Sequence, residues 1–318
     1  MKTLFNILLF FFLLCGVPLR SACLEIDCIF ETGFRNGTTK EFVYEEEKCI
    51  SRLDWNDKIV PTAGFFGQIE VYNFFLKLGI TSAIPVMSGV MEDYDYLIPN
   101  DSEPSHYSCH DLYLDKDFSC NIEGGYKFQL INWYITPSVG FKYFNRKWTA
   151  SDGYLQYPIA GSWTGNEQKI NLNGPVISYE QAVWYPYATL ELGYNHAFPN
   201  ESKIQIAIQG AIYPYICAET NDIHFLRNMQ FYDSLRGGIG WNYGVTIGFY
   251  PQNLNGVGFT LYTGGEFINN VKGTTSSNNT GINDGSLIIT EGYSGKIEIT
   301  QFYVKLSIII PLFCRSGN

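Results

Sequence analysis

Two short polar motifs, far apart in the chain, carry side chains that could activate a water molecule. Asp93 and Asp95 flank one residue, and so do Asp222 and His224. Each motif follows a stretch that alternates like a β-strand, in which residues i and i+2 point to the same face. Each motif therefore projects two polar groups together, and a closed sheet could bring the two pairs face to face. The chemistry that this predicts is hydrolysis of a peptide bond by water.

An acid and histidine pair suits the role of general base. Asp222 would hold the His224 imidazole in one tautomer and stabilise its charged form after it takes a proton from water. Asp93 and Asp95 would hold that water from the other side, and two adjacent carboxylates share a proton or raise one pKa. Either motif alone is common in solvated turns, and only their shared position at strand ends favours a site.

Strand-like alternation recurs along the chain and predicts an all-β fold. Apolar residues alternate with polar or small ones in 139–143, 203–209, 241–249, 257–261 and 302–308, and no helical period is present. Aromatic residues make up 16% of the chain, which together with long polar segments favours an outer-membrane barrel over a soluble sandwich. The prediction is a transmembrane antiparallel β-barrel of about ten strands with long extracellular loops.

The connections between the strands fall into two classes. Two tight ones, 135–138 and 251–255, are predicted to be short periplasmic turns. Four longer segments are polar and rich in Gly, Asn and Ser, as extracellular loops are. These predicted loops are 97–122, 148–178, 216–238 and 268–290.

The N-terminal residues predict export. Lys2 precedes an almost wholly apolar run, 4–14, and the small residues Ser21 and Ala22 follow. This pattern is typical of a secretory signal peptide, residues 1–22, and the run is too short to span a membrane as a helix. Residues 23–318 are then predicted to form a single barrel domain. Lipidation at Cys23 is left open, because Arg20 fits the cleavage signals poorly.

The net charge bears on the class of binding partner, and the cysteine content bears on disulfides and metal sites. A formal net charge of −10 argues against a nucleic acid, since phosphate binding needs clustered Lys and Arg. The chain has 8 Cys, and in an exported protein Cys109 and Cys120 could pair within one loop, although free buried thiols are an equal alternative. No Cys or His spacing suggests zinc, so neither a metal nor a cofactor is expected.

The segments around the polar motifs resemble those of the omptin family of outer-membrane proteases. Residues 39–44 and 50–55, the latter containing Ser51-Arg52-Leu53-Asp54-Trp55, resemble the first omptin hairpin. Residues 91–96 are similar to the family's Met-x-Asp-x-Asp-aromatic segment, and 222–224 fall where the family has an Asp-x-His dyad. The similar segments follow one another in the same order as in the family over most of the mature chain, at low sequence identity.

This resemblance implies a ten-stranded barrel that protrudes from the bacterial outer membrane, with an active-site groove at its extracellular mouth. Family members cleave peptides between basic residues with a water nucleophile, so polypeptides with basic residues are the expected substrates. The catalytic residues that it implies are Asp93, Asp95, Asp222 and His224. The oligomeric state is left open.

Substrate contacts are implied by the same resemblance. Glu41 matches an acid that receives the basic side chain before the scissile bond by a charge-assisted pair. Asp101 lies near an acid that favours a basic residue after that bond, and Met91 and Ile177 are expected to contact substrate. Omptins often have a second acid two residues before the dyad aspartate, where this chain has Thr220, which predicts relaxed selectivity.

Outer-membrane lipid is the other expected partner. Family members bind lipopolysaccharide through basic residues on the outer face of the barrel, and the resemblance implies Arg146 for one of them. A second such position carries Ala182, so a requirement for lipopolysaccharide is left open. His106 and His110 share the 97–122 loop and are expected to be plain surface residues, with a role as ligands as the alternative.

Two other functions compete with a protease. The main alternative is a non-catalytic outer-membrane barrel that acts as an adhesin or host-protein binder, whose acidic mouth merely attracts cationic peptides. A small-solute channel is less favoured, because a barrel of about ten strands is filled by side chains.

Overall fold

The computed structural model describes residues 24–98, 102–254, 256–279 and 293–315, and most of them lie in β-strands. The strands are β1 (Leu24–Glu45), β2 (Lys48–Val71), β3 (Phe74–Ala83), β4 (Val86–Asp95), β5 (His106–Tyr126), β6 (Phe128–Leu130), β7 (Trp133–Gln156), β8 (Ile170–Asn171), β9 (Pro175–Ala197), β10 (Lys203–Tyr213), β11 (Ile216–His224), β12 (Met229–Gly237), β13 (Ile239–Tyr250), β14 (Gly258–Asn279) and β15 (Tyr293–Arg315). Among these residues no helix is long and apolar enough to cross a bilayer.

The strands form one antiparallel sheet that closes on itself, because β1 pairs with both β2 and β15. Four staves of the barrel each consist of two consecutive strands: β3 with β4, β5 with β6, β10 with β11, and β12 with β13. The short β8 only adds to β7 at the rim. The ring therefore has ten staves, and the predicted ten-stranded β-barrel is confirmed.

Tight turns lie at one end of the barrel. Tyr72 and Asn73, with φ of 49° and 68°, form the two-residue turn between β2 and β3. Ile131, with a φ of 55°, begins the equivalent turn between β6 and β7. Short turns are typical of the periplasmic end. Residues 251–254, the described part of the predicted turn 251–255, lie at this end. The prediction of a turn at 135–138 is wrong, because those residues lie inside β7.

An apolar outer surface surrounds the barrel at this end, and we call it the lipid-facing belt. Its exposed side chains include Phe30, Phe34, Phe65, Leu78, Ile80, Phe141, Leu190, Ile206, Ile208, Trp241, Val245, Ile247, Leu261, Val304 and Leu306. They alternate with inward-facing polar residues, as in other transmembrane barrels. On β1, Glu41 lies about 20 Å further along the strand than Phe34, at a rise of about 3.3 Å per residue. The barrel thus extends well beyond the belt.

Much of the sequence predicted as loops is strand in this protruding part. Segment 97–122 contains β5 from His106 onward, and 216–238 contains β11 and β12. In segment 148–178, only the residues between β7 and β9 form a loop, apart from the short strand β8. Residues 268–279 belong to β14, and residues 280–290 lie outside the described part of the chain. Outside the membrane a strand meets water on its outer face, so it needs no apolar alternation, and its polar sequence resembles that of a loop.

The barrel interior is filled between the mouth and the belt. Trp55 stacks on Tyr179 with ring centroids 5.0 Å apart, and Trp148 stacks on both. Below this stack, Arg35 binds Asp57 and Asp117 at 2.8 Å and 3.1 Å. These ionic side chains lie at the edge of a polar cavity of about 1150 Å³ inside the belt. The packed layer of side chains separates the cavity from the mouth.

Arg146 points into the barrel. It is 4% exposed, and its Nε lies 3.1 Å from Asp117 Oδ2. Inward and outward side chains alternate along β7, so Trp148 shares the inner face with Arg146 whereas Lys147 lies on the outer face. The prediction that Arg146 binds lipopolysaccharide from the outer face is therefore wrong.

Cys109 and Cys120 are both free thiols. They lie on the same strand, β5, and at about 3.3 Å per residue they are about 35 Å apart. A disulfide requires Cα atoms within about 7 Å, so the predicted bridge is wrong. The predicted signal peptide, residues 1–22, and Cys23 lie outside the described residues.

Candidate active site

Asp222 and His224 form a hydrogen-bonded pair near the end of β11. His224 Nε2 lies 2.6 Å from Asp222 Oδ2, and the two side chains are 13% and 5% exposed. The His224 ring also meets Phe231 of β12 edge-on at 5.3 Å. Burial alone would lower the pKa of His224, but the charge of Asp222 and the hydrogen bond to it outweigh burial and raise that pKa. The pair is therefore held in one orientation and favours a charged imidazole.

Asp93 and Asp95 lie on the inner face at the end of β4. Both are buried, and Ser51 Oγ of β2 donates a hydrogen bond to Asp93 Oδ1 at 3.4 Å. Burial, followed by the charge of Asp95, raises the pKa of Asp93 to about 7. Burial also raises the pKa of Asp95, against the opposing charges of Arg227 and His106. One carboxyl of the pair can thus keep a proton near neutral pH.

The two pairs face each other across the mouth of the barrel. The charges of His224 and Asp222 act on the pKa of Asp93, and the charge of Asp93 acts in turn on His224. Arg227, in the turn between β11 and β12, places Nη2 3.8 Å from Asp95 Oδ2 on the opposite side. The structure thus brings together the four residues that the sequence predicts as catalytic.

Met91 and Ile177 lie beneath these polar groups. Met91 is fully buried and Ile177 is 3% exposed, and both belong to the apolar cluster that contains Trp55, Trp148 and Tyr179. They form part of the floor of the mouth. Their predicted role as substrate contacts stays a prediction, and Asp101 lies outside the described residues.

Glu41 is placed on the inner face of β1 and is 2% exposed. Its Oε2 has no hydrogen-bond partner in the described part of the chain. Burial, followed by the charges of Asp222 and Asp233, raises the pKa of Glu41 well above its usual value. The predicted binding carboxylate is thus a buried acid with further acids beside it.

Asp233 is a residue of this site that the sequence analysis missed. It lies on β12 directly opposite Thr220 of β11, and Thr220 Oγ1 donates a hydrogen bond to Asp233 Oδ2 at 3.0 Å. Burial raises the pKa of Asp233 to about 6, against the hydrogen bond from Thr220. A hairpin assignment for 216–238 would have paired these positions, but the segment was predicted as a loop.

Ser108 and His110 also lie in the site. Ser108 is the cross-strand partner of Asp93, and His110 Nε2 lies 2.9 Å from Ser108 Oγ. His110 Nδ1 lies 2.6 Å from the carbonyl oxygen of Asp152. His110 is 1% exposed, so the expectation of a surface histidine is wrong, because β5 begins at His106 and turns His110 inward.

The chain is similar to known proteins in sequence and in fold. A sequence profile of the Omptin family matches residues 24–306. The plasminogen activator of Yersinia pestis is 28% identical over 227 residues, which are 69% of this chain and 69% of that protein. The crystal structure of the outer membrane protease OmpT from Escherichia coli superimposes with a TM-score of 0.80 at 17% identity, covering 91% of this chain and 97% of that one. At that identity the structural likeness shows the fold.

Proposed function

Because this chain belongs to the Omptin family, we propose that it is an endopeptidase that hydrolyses peptide bonds next to basic residues at the extracellular mouth of its barrel. Its location is the bacterial outer membrane. The observation that carries the proposal is the 2.6 Å pair of His224 and Asp222, which faces Asp93 and Asp95 across the mouth. A protease related to the plasminogen activator is consistent with this geometry.

In the proposed mechanism a water molecule lies between the two pairs. The Nε2–H group of His224 donates a hydrogen bond to Asp222, so in the neutral imidazole Nδ1 is free to accept a proton from water. The oxygen of that water attacks the carbonyl carbon of the peptide bond. Asp222 stabilises the imidazolium that forms. The pKa of His224, raised by Asp222, makes it a stronger base than a free imidazole.

Asp93 and Asp95 act on the other side of the bond. Asp95 orients the water, supported by Arg227. Asp93, whose pKa is raised to about 7 by burial and by Asp95, is partly protonated near neutral pH. It can therefore give its proton to the leaving amine when the carbon–nitrogen bond breaks.

Cleavage of a fluorogenic peptide with an Arg–Arg bond tests the proposal. The refolded, detergent-solubilised protein is assayed with and without lipopolysaccharide, so that the same assay tests whether activity requires this lipid. Wild type should cleave the peptide, whereas Asp93→Asn and His224→Ala should lower kcat by at least about 100-fold, the usual contribution of a general acid or base.

Matched controls separate chemistry from folding. His196→Ala removes an exposed histidine near the opposite end of the barrel, and Asp115→Asn removes an exposed carboxylate on β5. Both should keep wild-type activity. If the folded wild type cleaves nothing in a mixed peptide library under any lipid condition, the protease is ruled out and a binding barrel replaces it.

A further inference from the structure

Asp233 and Thr220 form part of a buried acidic pocket, which also contains Glu41, Asp222 and Tyr179. The pair of strands β11 and β12 places Thr220 and Asp233 opposite each other, with the 3.0 Å hydrogen bond between them. Asp222, two residues from Thr220 on the same face of β11, connects the pocket to the dyad. The pocket thus adjoins the catalytic groups.

The carboxyl group of Asp233 extends toward the strand beside Glu41. A Cβ atom on Gly295 of β15 would lie 2.9 Å from Asp233 Cγ, so the absence of a side chain at Gly295 leaves space for this carboxylate. Glu41 pairs with Ile297 of the same strand. Electrostatic interaction of Glu41 with both Asp233 and Asp222 places all three acids in one pocket.

Among the described residues Asp222 is paired with His224, whereas Glu41 and Asp233 have no cationic partner. Within the described ranges, no Lys or Arg forms an ion pair with Glu41 or Asp233. Glu41 Oε2, Asp222 Oδ1 and Asp233 Oδ1 are buried without a hydrogen-bond partner there. A buried carboxylate without a partner is energetically unfavourable. A ligand cation that enters the pocket would therefore form the ion pairs that no Lys or Arg of the described residues forms with Glu41 or Asp233.

We propose that Asp233 is the second specificity-determining carboxylate of this pocket, and that with Glu41 it binds the Arg or Lys side chain before the scissile bond. This inference rests on the proposed function. Thr220 occupies the position where the resemblance predicts the second acid, and Asp233 supplies that acid from the neighbouring strand. The basic specificity of the pocket is then strict rather than relaxed.

Arg suits the pocket better than Lys. Glu41 and Asp233 lie on different staves of the barrel, and a planar guanidinium with five N–H donors can contact both at once. Charge-assisted hydrogen bonds to carboxylates are about twice as strong as neutral ones. Citrulline has nearly the shape of arginine without its charge, so it provides the matched neutral substrate.

The test compares peptides that differ only in Arg, Lys or citrulline before the scissile bond, cleaved by full-length wild type and by Asp233→Asn. For the Arg peptide, kcat/KM should fall by about 10- to 100-fold in Asp233→Asn, mostly through KM, as expected for the loss of a hydrogen bond to a charged group. For the citrulline peptide the change should be less than about threefold, the scale of a neutral contact. Asp115→Asn should change neither value.

A swap variant provides a second test in case Asp233→Asn does not fold. Thr220→Asp with Asp233→Thr returns one acid to the pocket from the other strand and should restore most of the preference for Arg over citrulline. Folding of each variant is verified by its heat-modifiable migration on gels. A folded Asp233→Asn with the wild-type ratio of Arg to citrulline cleavage would overturn the inference. If that variant does not fold, a folded swap without Arg preference would overturn it equally.

Binding of the same peptides, labelled, to the His224→Ala variant separates this inference from the proposed function. Fluorescence anisotropy should show tighter binding of the Arg peptide than of the citrulline peptide, and Asp233→Asn should remove the difference. If wild type cleaves nothing but this binding difference exists, the protease proposal fails and the pocket stands. If cleavage occurs while binding and cleavage ignore Asp233, the pocket inference fails alone.

Discussion

Two buried glutamates in the two halves of this barrel have opposite surroundings. Glu266, inside the part surrounded by the lipid-facing belt, is 3% exposed and lies 3.0 Å from Lys142 Nζ. It also accepts hydrogen bonds from Tyr185, Gln301 and Tyr303. Glu41, in the protruding part, is 2% exposed and has an oxygen with no partner among the described residues.

We infer from this difference that paired buried charges stabilise the fold, whereas unpaired ones are available to bind a ligand. Toward the belt, Glu266 is paired with Lys142, and Arg35 is paired with Asp57 and Asp117. A paired and hydrogen-bonded charge is tolerated in a low dielectric, whereas an unpaired one is unfavourable. Among the described residues of the mouth, Glu41 and Asp233 have no cationic partner, so a cationic side chain that binds there would offset the unfavourable burial of their carboxyl groups.

Removal of each glutamate should therefore have opposite effects on stability. Glu266→Gln leaves Lys142 charged and unpaired in the interior, and we expect a loss of about 3 to 5 kcal/mol in the free energy of unfolding. Glu41→Gln removes a carboxyl group whose Oε2 has no partner among the described residues, so its effect should be close to zero or slightly stabilising. Urea unfolding of both variants in detergent measures the two values.

The double variant Glu266→Gln with Lys142→Met provides the control. It removes both charges of the pair, so it should recover much of the stability that Glu266→Gln loses. Equal destabilisation by Glu41→Gln and Glu266→Gln would contradict the distinction between the two halves.

The mouth should also show a dependence of stability on pH that originates from Asp233. Burial raises its pKa from 3.8 to about 6, so the folded barrel binds the proton more tightly than the unfolded chain does. Its stabilising contribution is present in full below about pH 4 and is lost as pH rises through about 6, by about 3 kcal/mol in total. Asp233→Asn should therefore match wild type at about pH 4 and be more stable at about pH 8.

Urea unfolding at the two pH values checks this prediction, with Asp115→Asn as the exposed control. A saturating Arg peptide that cannot be cleaved should reduce the advantage of Asp233→Asn at about pH 8, because it gives the wild-type carboxylate its cation. A difference between variant and wild type that is independent of pH would show that Asp233 does not titrate in this range.

The sequence predicts the part of the fold that lies in the membrane better than the part that carries the site. Runs such as 203–209 and 241–249 alternate because lipid selects apolar residues on one face, and both lie in strands of the barrel. Beyond the belt this selection ends, and 216–238 was predicted as a loop although it forms β11 and β12. Hydrophobic alternation cannot detect a strand that is polar on its outer face.

The sequence predicted those residues of the candidate site that lie within a local motif. It did not predict those whose contact depends on the pairing of two strands. Asp93 with Asp95 and Asp222 with His224 are two residues apart, so strand geometry alone aligns each pair. The contact of Thr220 with Asp233 depends on the register of a hairpin, which was not assigned. The wrong face predicted for Arg146 also concerns register, because an error of one residue in register exchanges the inner and outer faces of a strand.

The smallest effect that we predict concerns Arg227, which reaches across the mouth to Asp95 at 3.8 Å with its side chain 52% exposed. Its charge lowers the pKa of Asp93, Asp95 and His224 alike. Arg227→Ala should therefore move both limbs of the pH profile of kcat/KM to higher pH and change activity at a fixed pH by about two- to fivefold, as expected for an exposed ion pair. The shift should fade at high salt, because exposed charges are screened. An unchanged profile at low salt would show that Arg227 does not act on the carboxylate pair, and that unpaired acids, rather than a bridging cation, set the electrostatics of the mouth.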